Sequence, residues 1–567
     1  MKLSKTMRRR ALVSLVAAGI VVGMVAASSS AKGKPHPKPT KPAKAATPAK
    51  PQPGFLTAKA PLLAPATAGV EVKALLNVGD TVGGYKFESI PDGIAVSRHK
   101  GHDGLKGGQV NIFVNHENSL VPFPATRSDF TNALLSKLTL NRKTGGTLAG
   151  SFVIPNSANY QRFCSNFLVS KKQGFKHDLV LIGEEARDWV NRTGAAWPAT
   201  PFAPGAEQAG VVVAYDVKSG QYRSIYGMGR GNHENAVALE KYHKPVILTG
   251  DDTFDAPASQ LYLYTAKNGD DVWNDKGALY AFVSDNAAVN DYGDVHLGDS
   301  VAGHFIEVPR MIATGKKANG SEVRASDFGF AAPPAGIPDG PQWVLESWSN
   351  ANNVFQFIRI EDIAYDRRHK NVVYFADTGE PRALPDATTG RLRRGPSGTM
   401  GPYPNGRIFK LVLDKKNPLE VKSLSILPGA NFDLGNYGNV NVAHQPDNVE
   451  TTKKALLFTE DPGGHNQYDA PAGPGKTAAR VWRYDLKTGA LDVVAVVDHS
   501  SDPTTPKQRL GNWESSGIVD ASKSFGKHWF LIDVQAHGWE VETQTNPSPP
   551  NFARENGQLL LLKIPGT

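Results

Sequence analysis

Glu361-DIAYDRRHKNVVYFA-Asp377 opens on a carboxylate, passes through two apolar, β-rich runs separated by a basic turn, and closes on a second carboxylate. Runs of Val, Ile, Tyr and Phe bounded by turn residues read as a strand pair. The same plan recurs in Glu234-NAVALEKYHKPVILT-Gly250-Asp251-Asp252, in Asp447-NVETTKKALLFT-Glu460-Asp461 and in Glu514-SSGIVDASKSFGKHWFLI-Asp533. A further strand run follows each: QLYLYTA, GRIFKLVL, RVWRYDL and GQLLLLKI. Two weaker copies precede them. Asp92-GIAVSRHK leads to VNIFV-Asn115-His116-Glu117 and SKLTLN, and Cys164-SNFLV leads to LVLI-Gly183-Glu184-Glu185 and GVVVAYDV. Six copies of a strand unit specify an all-β radial fold, a β-propeller expected to have six blades of four strands. Acids at one recurring position converge on its axis, where like charges repel unless hard cations lie between them.

The chain of 567 residues is long for an ordinary domain and suits one large propeller, here residues 61–567, with insertions. Helical periodicity is almost absent. Residues 286–345 and 380–405 are rich in Gly, Pro and Asp and too long for blade connections; the second carries Arg382, Arg391, Arg393 and Arg394. Such insertions are either lids over a site or solvated loops. The formal charge is +9, but residues 1–60 contain twelve Lys or Arg and no acid. The folded part is therefore slightly acidic, which argues against a nucleic-acid partner.

Residues 1–31 have the order of an export signal: Lys2, Lys5 and Arg8-Arg9-Arg10, an apolar run from Ala11 to Ala27, then Ser29-Ser30-Ala31. Arg9-Arg10-Ala11-Leu12-Val13 fits the twin-arginine route as well as the general one, and an uncleaved anchor is the alternative for an apolar run of this length. The expected location is extracellular, periplasmic or in the cell envelope. Residues 32–60, a Lys/Pro/Ala-rich linker, are extended and solvated, a spacer or a contact for anionic envelope polymers. Cys164 is the only cysteine, so no intramolecular disulfide forms; it is a buried small residue or a ligand.

Gly229-Arg230-Gly231-Asn232-His233-Glu234-Asn235 joins close-packing glycines to an imidazole and a carboxylate, and Asn115-His116-Glu117 repeats its Asn-His-Glu order. Arg359 and Glu361, two apart on a strand, face the same way. They pair with each other, or Glu361 holds a cation and Arg359 grips an anion bidentately, as suits phosphate. Asp447-Asn448 and Glu460-Asp461 add oxygen-rich turns, and Asp251-Asp252, Asp270-Asp271 and Asp291 to Asp299 are further acidic candidates. Oxygen donors without Cys or His clusters favour Ca²⁺ over Zn²⁺. No P-loop, Gly-x-Ser-x-Gly elbow or His-Glu-x-x-His spacing is present. Metal-activated water is then the economical mechanism for an enzyme.

The segments VNHE (Val114–Glu117), GEE (Gly183–Glu185), GRGNHENAV with TGDD, RIEDIAYD with VVYFADTG, and QPDNVE with FTED resemble, in this order, the PhoX alkaline phosphatase family of exported β-propellers. The resemblance spans nearly the whole mature chain. It implies phosphomonoester hydrolysis at an iron–calcium centre, with Glu184, Glu185, Glu234, Glu361 and Asp447 as metal ligands and with Arg359 and Asn115 holding the phosphoryl oxygens. One position departs: the family has a cysteine directly before the paired glutamates, and here it is Gly183. Calcium is thus the expected ion, and Fe³⁺ lacks one donor. The alternatives are a calcium-stabilised propeller hydrolase of another class, such as a phosphodiesterase, a phytase-like enzyme or a lactonase, and a propeller that only binds. The expected partner is a small phosphate ester; oligomeric state is not legible.

Overall fold

The computed structural model describes residues 53–97, 107–121, 128–193, 199–253, 259–387, 390–396, 398–435, 439–461, 477–505, 509–544 and 551–567. The expected targeting segment and most of the basic linker lie outside them.

Within Pro51–Thr567 the strands form six four-stranded antiparallel runs. Unit one contains Pro91–Val96, Gln109–His116, Leu134–Asn141 and Thr147–Ile154, and unit two Phe163–Val169, Leu179–Glu184, Val212–Asp216 and Tyr222–Ile225. Unit three begins at His233–Ala238, unit four at Ile360–Tyr365, unit five at Pro446–Thr451 and unit six at Glu514–Asp520. Six apolar cores lie between successive units, from Phe113 and Ile182 between one and two round to Ile94 and Leu531 between six and one. Each strand run is therefore buried on both faces by its neighbours, and the ring closes. The N-terminal strand Glu71–Asn77 completes unit six beside Phe552–Lys563, and Leu63–Pro65 adds to unit five.

The propeller class matches the sequence reading, but only four blades are separate sheets. Units three and four merge into one nine-stranded sheet because Val301–Glu307 pairs with Ala278–Ser284 on one side and with Glu420–Asn431 on the other. That joining strand comes from the 286–345 insertion, whose end also opens the helix Pro341–Ala351, which runs six residues past the expected boundary. The 380–405 segment carries a short hairpin whose arginines are paired inside it or to its neighbours: Arg394 and Arg382 with Glu380, Arg393 with Asp386, and Arg391 donating to the Val354 carbonyl.

One irregularity repeats in all six units. Pro91 pairs with His116 and Ile94 with Val114, so three steps on the inner strand match two on its partner. The same shift follows Phe163, His233, Ile360, Pro446 and Ser516. A β-bulge breaks strict alternation and re-aims a side chain. The first bulged residue of each unit is Asp92, Cys164, Glu234, Glu361, Asp447 and Gly517.

Candidate metal centre

Five of these six bulge residues carry ligating atoms, and the bulges bring them together. One carboxylate oxygen each from Glu234, Glu361 and Asp447 lie within 4.8 Å of one another, as do Asp92, the Cys164 sulfur and Glu234. Glu234 belongs to both groups. Both of its oxygens are buried without a hydrogen-bond partner. Cys164 donates from Sγ to Asp92 Oδ2 at 2.9 Å.

A second tier comes from the next strand. The triplets that end it are Asn115-His116-Glu117, Gly183-Glu184-Glu185, Gly250-Asp251-Asp252, Ala376-Asp377-Thr378 and Thr459-Glu460-Asp461. The middle residue braces its own unit. Glu184 accepts from the backbone N–H groups of Gln161 and Gly210, Asp251 from Asn232, Asp377 from Ile358 and Arg359, and Glu460 from His444 and Arg480. By strand alternation the next residue turns the other way. Glu117, Glu185, Asp252 and Asp461 accordingly act on the bulge carboxylates electrostatically.

The charge balance of this centre is unfavourable without cations. Burial, reinforced by Glu361, Asp92 and Asp252, pushes the Glu234 carboxyl well above its ordinary range. Burial and the charges of Glu361, Glu514 and Glu234 do the same to Asp447, and burial with Asp252 to Glu361, against the pull of Arg359. Glu117 is pushed up to about 8 by burial and Asp92, and the Cys164 thiol rises through burial and the same aspartate. Buried carboxylates in such number persist as anions only when paired or metal-bound. The orphaned Glu234 oxygens and the orphaned Glu185 Oε1 are hard donors of the kind Ca²⁺ takes, and the Cys164 thiol is the single soft donor.

The sequence-predicted residues separate on this geometry. Glu234, Glu361 and Asp447 meet, and Glu185 borders them. Glu184 does not. As the braced middle residue it also receives Arg192 bidentately, Nη1–Oε1 and Nη2–Oε2 both at 2.7 Å, so its oxygens serve the fold. Asn115 likewise turns toward the neighbouring unit, its amide donating to the Cys164 and Ser165 carbonyls and accepting from Asn166; it braces the second bulge. Arg359 is gripped by Asp252, Nε–Oδ1 at 2.7 Å and Nη2–Oδ2 at 2.6 Å, with Glu361 Oε1 at 3.2 Å. Of the two alternatives for this arginine the structure shows the pairing one, with Asp252 as the bidentate partner and Glu361 as the second.

Gly183 also changes meaning. A Cβ there would stand 2.2 Å from the His233 carbonyl oxygen and 2.3 Å from that of Glu234, so its position faces the backbone of unit three. The cysteine among the candidate donors is Cys164, which is buried and also lies beside Asp92 and Glu234; Asp92 is the residue to which the sequence reading gave no role. Aligning the units on their bulges would have placed both. Glu514, three residues before its unit's bulge residue Gly517, instead lies 3.8 Å from His537. Asp270-Asp271 sit in the first turn of the helix Gly269–Trp273, which Asn268 caps, and Asp291 and Asp294 cap a short 3₁₀ turn; these acids serve local turns.

No family model matches this sequence, and no curated protein does. Among solved structures the chain is similar to the computationally designed Ika8 protein, at 8% identity and TM-score 0.28 over 84% of this chain and 97% of that one. It is also similar to NanB sialidase from Streptococcus pneumoniae, at 9% identity and TM-score 0.29 over 86% and 70%, and to an α-L-arabinofuranosidase from Clostridium thermocellum, at 10% and 0.23 over 72% and 94%. Likeness at this level carries no functional argument.

Proposed function

We propose that this protein is an exported, metal-dependent phosphatase that hydrolyses phosphomonoesters at the axial carboxylate centre. The observation that carries the reading is the sharing of Glu234 by two buried donor groups, with both of its oxygens unpartnered. Glu234, Glu361 and Asp447, bordered by Glu185, would hold calcium. Asp92 and Cys164 with Glu234 form the corner suited to a softer ion such as iron, in place of the donor absent at Gly183. Bound there, such cations supply charge neutralisation for phosphoryl oxygens and Lewis acidity toward water. The chain's own contribution is orientation: Asp252 fixes the Arg359 guanidinium at the edge of the carboxylates, where developing charge on a phosphoryl group is stabilised by a donor already in place.

The bidentate Arg359–Asp252 pair favours a second reading, because an arginine so fully engaged suits a propeller that binds metal and does no chemistry. Bound calcium and iron, measured on the purified protein, together with hydrolysis of a phosphomonoester and a phosphodiester before and after chelation, separate the two. Monoester turnover lost on chelation and in both Glu361→Ala and Arg359→Ala supports the phosphatase. Turnover that survives both substitutions refutes the site, and a metal-replete protein without turnover supports the binding reading.

A further inference from the structure

A cavity of about 330 Å³ lies on the propeller axis, and Glu234, Glu361 and Asp447 do not line it. All six inner strands do, beginning at the bulges with Gly93, Ser165, Asn235, Asp362, Asn448 and Gly517 and running on toward their C-terminal ends. Polar links between units close its inner end. Asn235 donates to Asp362, and Asn448 donates to Ser165 Oγ at 2.9 Å and accepts from the Gly517 N–H at 2.6 Å. Units two and five stand on opposite sides of the ring, so the Asn448–Ser165 bond spans the axis and separates the cavity from the carboxylate centre. Asp362, the one acid at this end, also accepts from the Ile363 and Val449 N–H groups. Asn166 is the exception to this closed network. Its nitrogen is held by the Gly93 carbonyl at 2.7 Å and by Asn115 Oδ1 at 2.9 Å, which fixes the amide, and its oxygen is buried without a partner in a residue 7% exposed. Farther out the walls are apolar. The Phe167 ring stands 6.5 Å from that of Tyr365, so units two and four place an aromatic pair on the cavity, beside the half-buried Leu168 and Val519. The remaining charged residues are paired or solvated: Arg367 with Glu450 at 2.6 Å, Lys172 with Glu240 at 3.4 Å, and Lys171 and Lys523 exposed.

We propose that this cavity is a second binding site, for a small, uncharged, flat and mostly apolar molecule with one hydrogen-bond donor at its leading end, the chemical class of a phenol or an indole. Its volume falls at the small end of the range for ligand pockets, about 300–1,000 Å³. The aromatic pair offers ring faces and edges to a flat ligand. The Asn166 oxygen calls for a donor, because a buried acceptor left unmade costs its full desolvation. An anion would meet only exposed lysines, whose attraction salt screens. The closed inner end makes the site independent of any metal.

Calorimetric titration of the full folded protein with phenol, toluene and benzoate tests the proposal. One phenol per chain is expected to bind saturably, in chelator as in calcium. Toluene, which has the shape but lacks the donor, should bind about tenfold more weakly. Phe167→Trp and Val519→Trp, which fill the space from two different walls, should each abolish phenol binding. A filled-cavity variant that keeps the wild-type melting curve and still binds phenol would overturn the proposal. Equal affinities for phenol and toluene, or tighter binding of benzoate, would overturn it as well. So would the absence of saturable binding, which would mean that the axial cavity holds only water.

Discussion

Glu234→Gln inverts the effect of calcium on stability if the axial centre is a metal site. The substitution keeps the shape of a side chain that is fully buried with both oxygens unpartnered. In chelator, the wild-type carboxyl is either an unpaired buried anion or a proton held far above its ordinary range. An unpaired buried ion costs several kcal/mol, and each unit of displaced pKa about 1.4 kcal/mol. The variant is therefore expected to be more stable by about 2–4 kcal/mol in chelator. With an unfolding entropy of about 2 cal/mol/K per residue over about 500 residues, that raises Tm by roughly 2–4 °C. In calcium the order reverses, because the variant loses the ligand common to both donor groups; a hundredfold weaker affinity removes up to about 2.7 kcal/mol of ligand-linked stability. The pH dependence has a definite sign. The folded carboxyl is raised above its ordinary 4.5 by burial and by Glu361, so the folded chelated protein binds more protons than the unfolded chain above that pH. Chelated wild type loses stability as pH rises from 5 to 8, and the variant loses less. Scanning calorimetry in chelator and in calcium, with metal analysis of both proteins, reads all of this. A Tm lowered equally in both conditions would show that Glu234 is a structural brace and would refute the reasoning.

Removing Glu184 separates brace from ligand: Glu184→Ala takes the bidentate partner from Arg192, which keeps Glu207, and leaves the Gln161 and Gly210 N–H groups without their acceptor, and it should cost about 2–4 kcal/mol, while metal analysis of the folded fraction finds the wild-type content. Gly183→Cys, which restores the cysteine of the resembled family, should destabilise by about 1–3 kcal/mol through overpacking against the His233 and Glu234 carbonyls, without raising iron content. Glu207, despite burial, is held at about 2 by Arg192 and Lys316, so its contribution is complete above pH 4.5 and lost as pH falls toward 2. By linkage it is worth about 3 kcal/mol, and acid unfolding of Glu207→Gln should converge with wild type near pH 2.

The sequence pattern made the strand units and the paired acids legible because alternation of apolar and polar residues is a local property. The merged sheet was not legible, since the pairing of Val301–Glu307 with Glu420–Asn431 depends on where an insertion docks. Motif spacing identified Glu234, Glu361 and Asp447, yet it grouped Glu184 with Glu185. Only the direction of each side chain separates them: Glu184 faces Arg192 and the backbone of its own unit, and Glu185 faces the axis. Cys164 and Asp92 occupy the same bulge position as the motif acids and open the two weaker copies of the unit, yet no motif gave Asp92 a role, and in unit six the leading acid Glu514 lies three residues before the bulge residue Gly517.

One extra residue per inner strand is what brings these side chains together. In a regular ladder, adjacent residues point to opposite faces of the blade and into the two flanking cores. The repeated bulge breaks that alternation and leaves a pair of residues free of strict pairing near the entrance of every unit. The first member gives the candidate donors Asp92, Cys164, Glu234, Glu361 and Asp447; the second gives residues such as Asn235, Asp362 and Asn448, which tie units together. Asn235 donates to Asp362, Asp362 accepts from the Val449 backbone, and Asn448 donates to Ser165 Oγ at 2.9 Å. The ring that holds the repelling carboxylates in place is thus built one residue beyond them, on the same irregularity. At the sixth position Gly517 lets its strand approach until a Cβ would lie 2.4 Å from the Asp92 carbonyl oxygen. The centre is consequently five-sided in its candidate donors although the fold is six-sided in its strands, and the glycine gap sits beside Asp92, in the thiol-bearing half of the site.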